Sequence, residues 1–347
     1  MENAEHKRRA HYSGKYPKKF EEKYKEHAPE KYRETVEHVI EKGSTPAGMH
    51  IPICVSEIMD ILSIKPGEHG LDCTLGYGGH SKEMLMRLNG SGHLTALDVD
   101  PIESVKTEKR LRDAGFTEDI FTVRHINFAR IDEVCELSGK FDFVLADLGV
   151  SSMQIDDPSR GFSYKLSGPL DLRMDPTKGE SAAERLRTMT RDEIASMLLE
   201  NSDEPYAEEI AAAVIKVFKK GGRIERTEEL KAVIEGALWK IPKEEQKEAF
   251  KKSCQRTFQA LRIDVNNEFE VLYEMLEKLP GVLNPGGRAA ILTFHSGEDR
   301  LVKKAFKEFK EEGLYKEIAE DIIRPSADEC RRNPRAASAK LRYAVRA

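Results

Sequence analysis

Gly70-Leu71-Asp72-Cys73-Thr74-Leu75-Gly76-Tyr77-Gly78-Gly79-His80 reads as a buried strand that enters a glycine turn and leaves it as a helix. A second strand ends on Asp98, twenty residues after Gly78. Glycines let backbone amides approach a ligand that a Cβ would block, and a carboxylate at the next strand end can accept both hydroxyls of a ribose. The pairing therefore points to an adenosine-containing cofactor.

Outward from this turn the pattern alternates. A helix is predicted over Ile53–Leu62, strand one over Gly70–Thr74, a helix over Ser81–Leu88 and strand two over His93–Leu97. A helix over 102–114, a short strand over Ile120–Arg124 and an apolar strand over Phe141–Ala146 follow. Alternation of this kind builds a parallel sheet with helices on both faces, the α/β class.

After Asp147 the alternation stops. Residues 151–180 are dense in Ser, Gly, Pro and Asp, which marks a functional lid or binding loop. Helical signals run from Ser181 to Leu279, with capping boxes at Ser181/Glu184 and Thr190/Glu193, a helix from near Pro205 to Gly221-Gly222, and another from Thr227 to Trp239. The span 156–253 is read as a helical insertion. Asn284-Pro285-Gly286-Gly287 is a predicted turn, and Arg288–Phe294 a strand ending at His295, where Ser296 and Asp299 suggest another capping box. His295 is thereby expected to face the crevice of Gly78, Asp98 and Asp147, since ligands of open α/β sheets bind at the carboxyl rim.

Residues 1–48 form a charged extension. Tyr12, Tyr16, Phe20, Tyr24 and Tyr32 lie at helical spacing among basic and acidic side chains. Such a stripe suits either an RNA-contacting arm or a peripheral helix. The formal charge of −5 neither requires nor forbids an RNA partner. Five scattered cysteines, at 54, 73, 135, 254 and 330, form no CxxC pair, so neither a zinc knuckle nor a disulfide framework follows and a reducing cytoplasm is expected. No apolar run is long enough for a membrane span.

Asp147 ends the fourth strand, and the small residues Gly149, Ser151 and Ser152 after it leave room for a planar ring. A carboxylate there can accept the hydrogens of an exocyclic amine and steady positive charge developing on it. The plain alternative is a helix cap or an Asx-turn. Gln154 could hold cofactor or base through its amide. His80 and His295 lack a partner at metal-ligand spacing, so no metal site is expected. Residues 324–347 carry seven basic side chains, Arg324, Arg331, Arg332, Arg335, Lys340, Arg342 and Arg346, against Asp328 and Glu329. That local reversal of sign suits phosphate contacts or a solvated basic tail.

Taken together, the motifs resemble the ribosomal RNA small-subunit methyltransferase H family, also called MraW. The likeness covers about Met49 to the C-terminus and rests on Asp72–Ser81, Ala146-Asp147-Leu148-Gly149-Val150-Ser151-Ser152, Asp156–Ser163, Gly168–Asp175, Phe258–Glu268, Phe294-His295-Ser296 and Asn333-Pro334-Arg335-Ala336. It implies a class I (Rossmann-like) methyltransferase with an inserted helical domain: 49–155 and 254–347 as the methyltransferase domain, 156–253 as the insertion. It also implies S-adenosylmethionine as cofactor and N4 of a cytosine in the decoding region of 16S ribosomal RNA, in the small ribosomal subunit, as target. Implied cofactor contacts are Gly78, Gly79, His80, Asp98, Phe128, Asp147 and Gln154, with Phe128 flanking the adenine. Asp147 is expected to orient the target amine, and Arg173, His295, Arg335, Lys340 and Arg342 to meet RNA. Tyr77, Gly297 and Ala337 depart from the family pattern.

An NAD-dependent dehydrogenase shares the glycine turn and acidic strand end, and a non-catalytic RNA-binding assembly factor could keep the fold without the chemistry. Self-association into a homodimer is left open.

Overall fold

The computed structural model describes residues 52–347, so the charged extension and its aromatic stripe lie outside the described residues. The chain runs α1 (Val55–Leu62), β1 (His69–Asp72), α2 (Gly79–Leu88), β2 (His93–Leu97), α3 (Pro101–Asp113), β3 (Phe121–Arg124), α4 (Ile131–Ser138) and β4 (Phe141–Asp147). A short α5 (Ser152–Asp156) precedes five helices, α6 (Ala182–Thr188), α7 (Arg191–Ser202), α8 (Ala207–Lys219), α9 (Thr227–Ala237) and α10 (Lys243–Asn266). The remainder is α11 (Glu268–Val282), β5 (Leu283–Thr293), α12 (Ser296–Glu311), β6 (Tyr315–Ile318), α13 (Ala327–Arg332) and β7 (Lys340–Arg346).

Seven strands form one sheet in the order β3-β2-β1-β4-β5-β7-β6. The first five pair in parallel, and β7 runs antiparallel to both β5 and β6. This agrees with the class I, Rossmann-like expectation. The central strands are continuously apolar because both faces are covered. Along β4, Phe143 and Leu145 face the core shared with α1, α2 and α3, whereas Val144 and Ala146 face the core shared with α4, α11 and α12.

Helices α6–α10 gather around a hydrophobic cluster of their own, built on Leu186, Ile194, Leu198, Ile210, Val214, Leu230, Ile234 and Leu261. Both sequence-expected capping boxes are formed, at Ser181 with Glu184 and at Thr190 with Glu193. The boundary drawn at 253 falls inside α10, a single helix of 24 residues.

Several expectations need correction. Strand one stops at Asp72 rather than Thr74. The Asn284–Gly287 turn is instead the irregular first part of β5, where pairing with β4 slips between Phe141 and Phe143 and Gly286 takes φ +78°. The cap of α12 is His295, whose Nδ1 accepts from the Glu298 amide, not Ser296 with Asp299. The stretch read as a lid or binding loop is anchored on the body, with Arg160, Phe162, Leu170 and Leu172 buried.

The basic tail is not a tail. Its last part is β7, inserted between β5 and β6, and Leu341 and Ala344 are buried in the sheet. Arg342, 4% exposed, donates to both carboxylate oxygens of Asp299 at 2.7 and 3.4 Å, and Lys340 Nζ stands 3.8 Å from the same group. Removing one partner of a buried pair leaves an uncompensated charge. Arg342→Ala is therefore expected to lower unfolding free energy by about 3 to 5 kcal/mol in urea titration. An intact melting curve with weakened RNA binding would instead return this side chain to the nucleic-acid interface.

Candidate functional site

The turn after β1 depends on left-handed backbone. Gly76 takes φ +48° and Gly78 φ +78°, and a Cβ on Gly78 would lie 2.7 Å from Thr107 Cγ2. Only glycine fits there. The α3 helix clamps the turn from outside: Thr107 Oγ1 donates to the Gly76 carbonyl at 2.6 Å and Arg110 Nη2 to the Tyr77 carbonyl at 2.8 Å. The Arg110 guanidinium also lies 3.6 Å over the Tyr77 ring, which is how the departure at Tyr77 is accommodated. Beneath, buried Asp72 accepts from Ser81 Oγ at 2.6 Å and the Thr74 amide at 3.0 Å, tying the strand end to α2, and burial raises its carboxyl above the usual range.

Asp98 follows β2 and turns back toward the turn, accepting from the amides of Gly76 and Asp100, both at 2.8 Å. Burial pushes its carboxyl up to about 6, outweighing those two hydrogen bonds. Asp147 ends β4, with its amide donating to Thr74 Oγ1 at 2.7 Å, and it is neither a helix cap nor part of an Asx-turn; Ser151 caps the next helix. Its Oδ2 stands 3.4 Å from His80 Nε2 without forming a hydrogen bond, and among the described residues neither buried His80 nitrogen has a hydrogen-bond partner. An unpaired buried polar group costs about 1 to 3 kcal/mol.

Gln154 is not solvated. Its amide joins the Ser151 capping box and donates to Asp100 Oδ2 at 2.8 Å, beside Arg160 Nη1 at 2.7 Å. Asp100 and Arg160 are both buried, a pair that no sequence spacing signals. Phe128 follows β3 on a short 3-10 turn, half-buried against the core beside α4.

The expected RNA contacts fare differently. Arg173 is held by Asp171 at 2.8 and 2.7 Å and donates to the Gly179 carbonyl. His295 presents both ring nitrogens to Glu298, with Nε2 3.1 Å from Oε1, and stacks edge-on against Phe269. A Cβ on Gly297 would strike that Phe269 ring at 2.6 Å, which accounts for this departure from the family pattern. Arg335 is 42% exposed and pairs with Asp156 at 3.1 Å. Nothing in the structure explains Ala337.

Among the described residues, Cys54, Glu57 and Glu329 approach one another, as do Glu268, His295 and Glu298, in groups able to hold a metal ion. Arg262 already holds Glu268 at 2.7 and 2.8 Å, and Glu329 accepts the Cys54 amide at 2.9 Å. A pocket of about 170 Å³ lined by His69, His93 and Phe141 lies at the amino ends of the strands, at the opposite edge of the sheet from Asp98 and Asp147.

The glycine turn, Asp98 and the unpartnered His80 ring thus stand together at the carboxyl rim, a donor and acceptor set that fits a nucleoside cofactor. The profile of the MraW methylase family matches residues 47–347. The chain belongs to this family. Its cofactor is S-adenosylmethionine. The chain is 65% identical over 342 residues to "Ribosomal RNA small subunit methyltransferase H 1" of Lachnoclostridium phytofermentans, covering 99% of this chain and 93% of that one. It is 64% identical to the protein of that name in Agathobacter rectalis, covering 100% and 99%. A relative in Thioalkalivibrio sulfidiphilus, "Ribosomal RNA small subunit methyltransferase H", is 39% identical over 87% of this chain and 98% of its own length. No helix among the described residues is long and apolar enough to cross a membrane.

The raised carboxyl of Asp98 fixes a sign. Its folded-state value, about 6, exceeds the ordinary 3.8, so the stability it contributes is complete below about pH 4 and lost as pH rises through about 6. Because the group is partly open to the crevice, Asp98→Asn is expected to stabilise the cofactor-free protein by only about 1 to 2 kcal/mol at pH 8. The gain should vanish near pH 4 in parallel urea melts.

Proposed function

We propose that this protein transfers a methyl group from S-adenosylmethionine to N4 of a cytosine in the decoding region of 16S ribosomal RNA. The observation that carries the reading is the placement of Asp147, a carboxylate fixed through its amide at the β4 end and open at the rim beside the glycine turn. Family membership and the printed names of the relatives support the RNA substrate.

The cofactor supplies a methyl group already made electrophilic by its sulfonium, so the protein's work is binding, alignment and exclusion of water. In this reading Asp98 accepts the ribose hydroxyls, the Gly79 and His80 amides of the turn face the cofactor while the Gly78 amide stays bound to the Leu75 carbonyl at 2.7 Å, and Phe128 flanks the purine. Gln154 acts at second hand, holding Asp100 and hence the loop that carries Asp98. Asp147 accepts the hydrogens of the cytosine amine, turning the nitrogen lone pair out of the ring and toward the methyl group. The cytosine is unpaired or flipped out, because a paired base presents no free amine.

RNA would be recognised by the helical span 156–253 and by exposed Arg335, whereas Arg342 holds the sheet together. Arg173 would meet RNA only by exchanging Asp171 for a phosphate. The reaction would take place in the cytoplasm on the small ribosomal subunit, and a homodimer is not required by the placement of these residues.

The reading is tested by incubating hypomethylated small subunits with labelled methyl donor and mapping the modified nucleoside. Label on N4 of a decoding-region cytosine is expected. Binding to subunits without transfer would favour the assembly-factor reading. Asp147→Asn should slow transfer by about 100-fold at saturating cofactor, and wild-type turnover in that variant would remove Asp147 from the chemistry.

A further inference from the structure

Cys54, Glu57 and Glu329 bring one sulfur and two carboxylate oxygens within 4.8 Å of one another. Cys54 immediately precedes α1 and Glu57 lies in its first turn, whereas Glu329 sits on α13, 275 residues on from Cys54. No spacing in the sequence signals such a group. Cys54 is completely buried, and among the described residues its thiol has no hydrogen-bond partner. A soft donor is thus enclosed with two hard ones.

The group has no cation of its own. Among the described residues neither carboxylate forms an ion pair, and the Glu57 side chain makes no hydrogen bond. The nearby arginines are committed elsewhere: Arg331 and Arg332 both donate to Asp328, and Arg335 to Asp156. The charges of Glu329, Glu57 and Asp147 all reach Cys54, and Cys330, next to Glu329, is close enough to act on it too. Negative groups gathered around a buried sulfur are costly unless a positive charge joins them. The group of Glu268, His295 and Glu298 differs, because Arg262 already neutralises Glu268.

We propose that Cys54, Glu57 and Glu329 bind a divalent cation of the zinc class, which clasps the start of α1 to α13. A thiolate with two carboxylates suits zinc and its borderline neighbours, whereas magnesium and calcium take oxygen ligands. The thiol proton passes to solvent as the metal–sulfur bond forms, and water fills the fourth position. Donor atoms of a tetrahedral zinc stand about 3.3 to 3.6 Å apart, so the group has only about 1 Å to close. Glu57, held by no hydrogen bond, can turn to close it. Glu329 Oε1 accepts the Cys54 amide at 2.9 Å, a contact that orients the carboxylate as the outer partners of metal ligands do. The clasp backs the cofactor turn, because Pro52, two residues before Cys54, packs where a Cβ on Gly79 would meet it at 2.9 Å.

The decisive measurement needs neither cofactor nor RNA, so it stands apart from the methyl-transfer reading. The full chain, stripped with a chelator and kept reduced, is titrated with zinc alone and with cobalt(II) alone. One ion per chain is expected, with a sulfur-to-cobalt charge-transfer band and a melting temperature raised by zinc but not by magnesium. Glu57→Gln should weaken zinc binding by at least about tenfold, and Cys54→Ser by at least about 100-fold with loss of the band. A wild type that binds no zinc, or a cobalt spectrum without the sulfur band, overturns the site. So does binding that both variants leave unchanged. Should Cys54→Ser fail to fold, Glu57→Gln decides, since it breaks no hydrogen bond.

Discussion

One buried carboxylate organises the rim of this protein. Asp100, fully buried, accepts the amides of Ile102 and Glu103 on one oxygen and Gln154 Nε2 and Arg160 Nη1 on the other. Its own amide donates to Asp98. The group therefore caps α3, fixes the acidic strand end and anchors the long loop after β4 in a single constellation. A charge so deeply placed is tolerable only because every lone pair is met and Arg160 neutralises it. Arg160 continues the chain of contacts, donating to the carbonyls of Arg173 and Met174.

That network explains why a loop rich in Gly, Pro and Ser is packed rather than loose. Leu172 holds φ +65°, an uncommon conformation for a branched side chain, while being completely buried. Asn266 on α10 secures it by donating to the Leu172 carbonyl and accepting the Met174 amide. The cofactor rim and the helices beyond it thus share one rigid connection, with Asp98 at one end and α10 at the other.

The parallel half of the sheet was legible in the sequence because its signals are local: apolar runs, glycine turns and capping boxes each depend on residues a few positions apart. The site was legible to the extent that Asp98 and Asp147 fall at strand ends and Gly78 in the turn that joins β1 to α2. Asp100 and Arg160 were invisible for the opposite reason, being sixty residues apart in sequence and joined only by the fold. The C-terminal basic residues misled because charge density alone cannot tell a solvated stretch from a strand whose charges are paired internally, as Arg342 is with Asp299. His295 was read as a rim residue meeting RNA, whereas its Nδ1 lone pair serves as a cap, a role the Ser296 hydroxyl was expected to fill.

The seating of β7 also bears on how the protein is made. Strand β6 leaves the ribosome before β7 yet pairs with no other strand, and β5 keeps one open side until β7 arrives between them. A nascent chain therefore carries an unfilled slot beside a buried strand until β7 has been made, a ready template for pairing with another chain. Polypeptides cut short before Lys340 would keep that slot for good, and their fate would be clumping or proteolysis rather than a weakened enzyme.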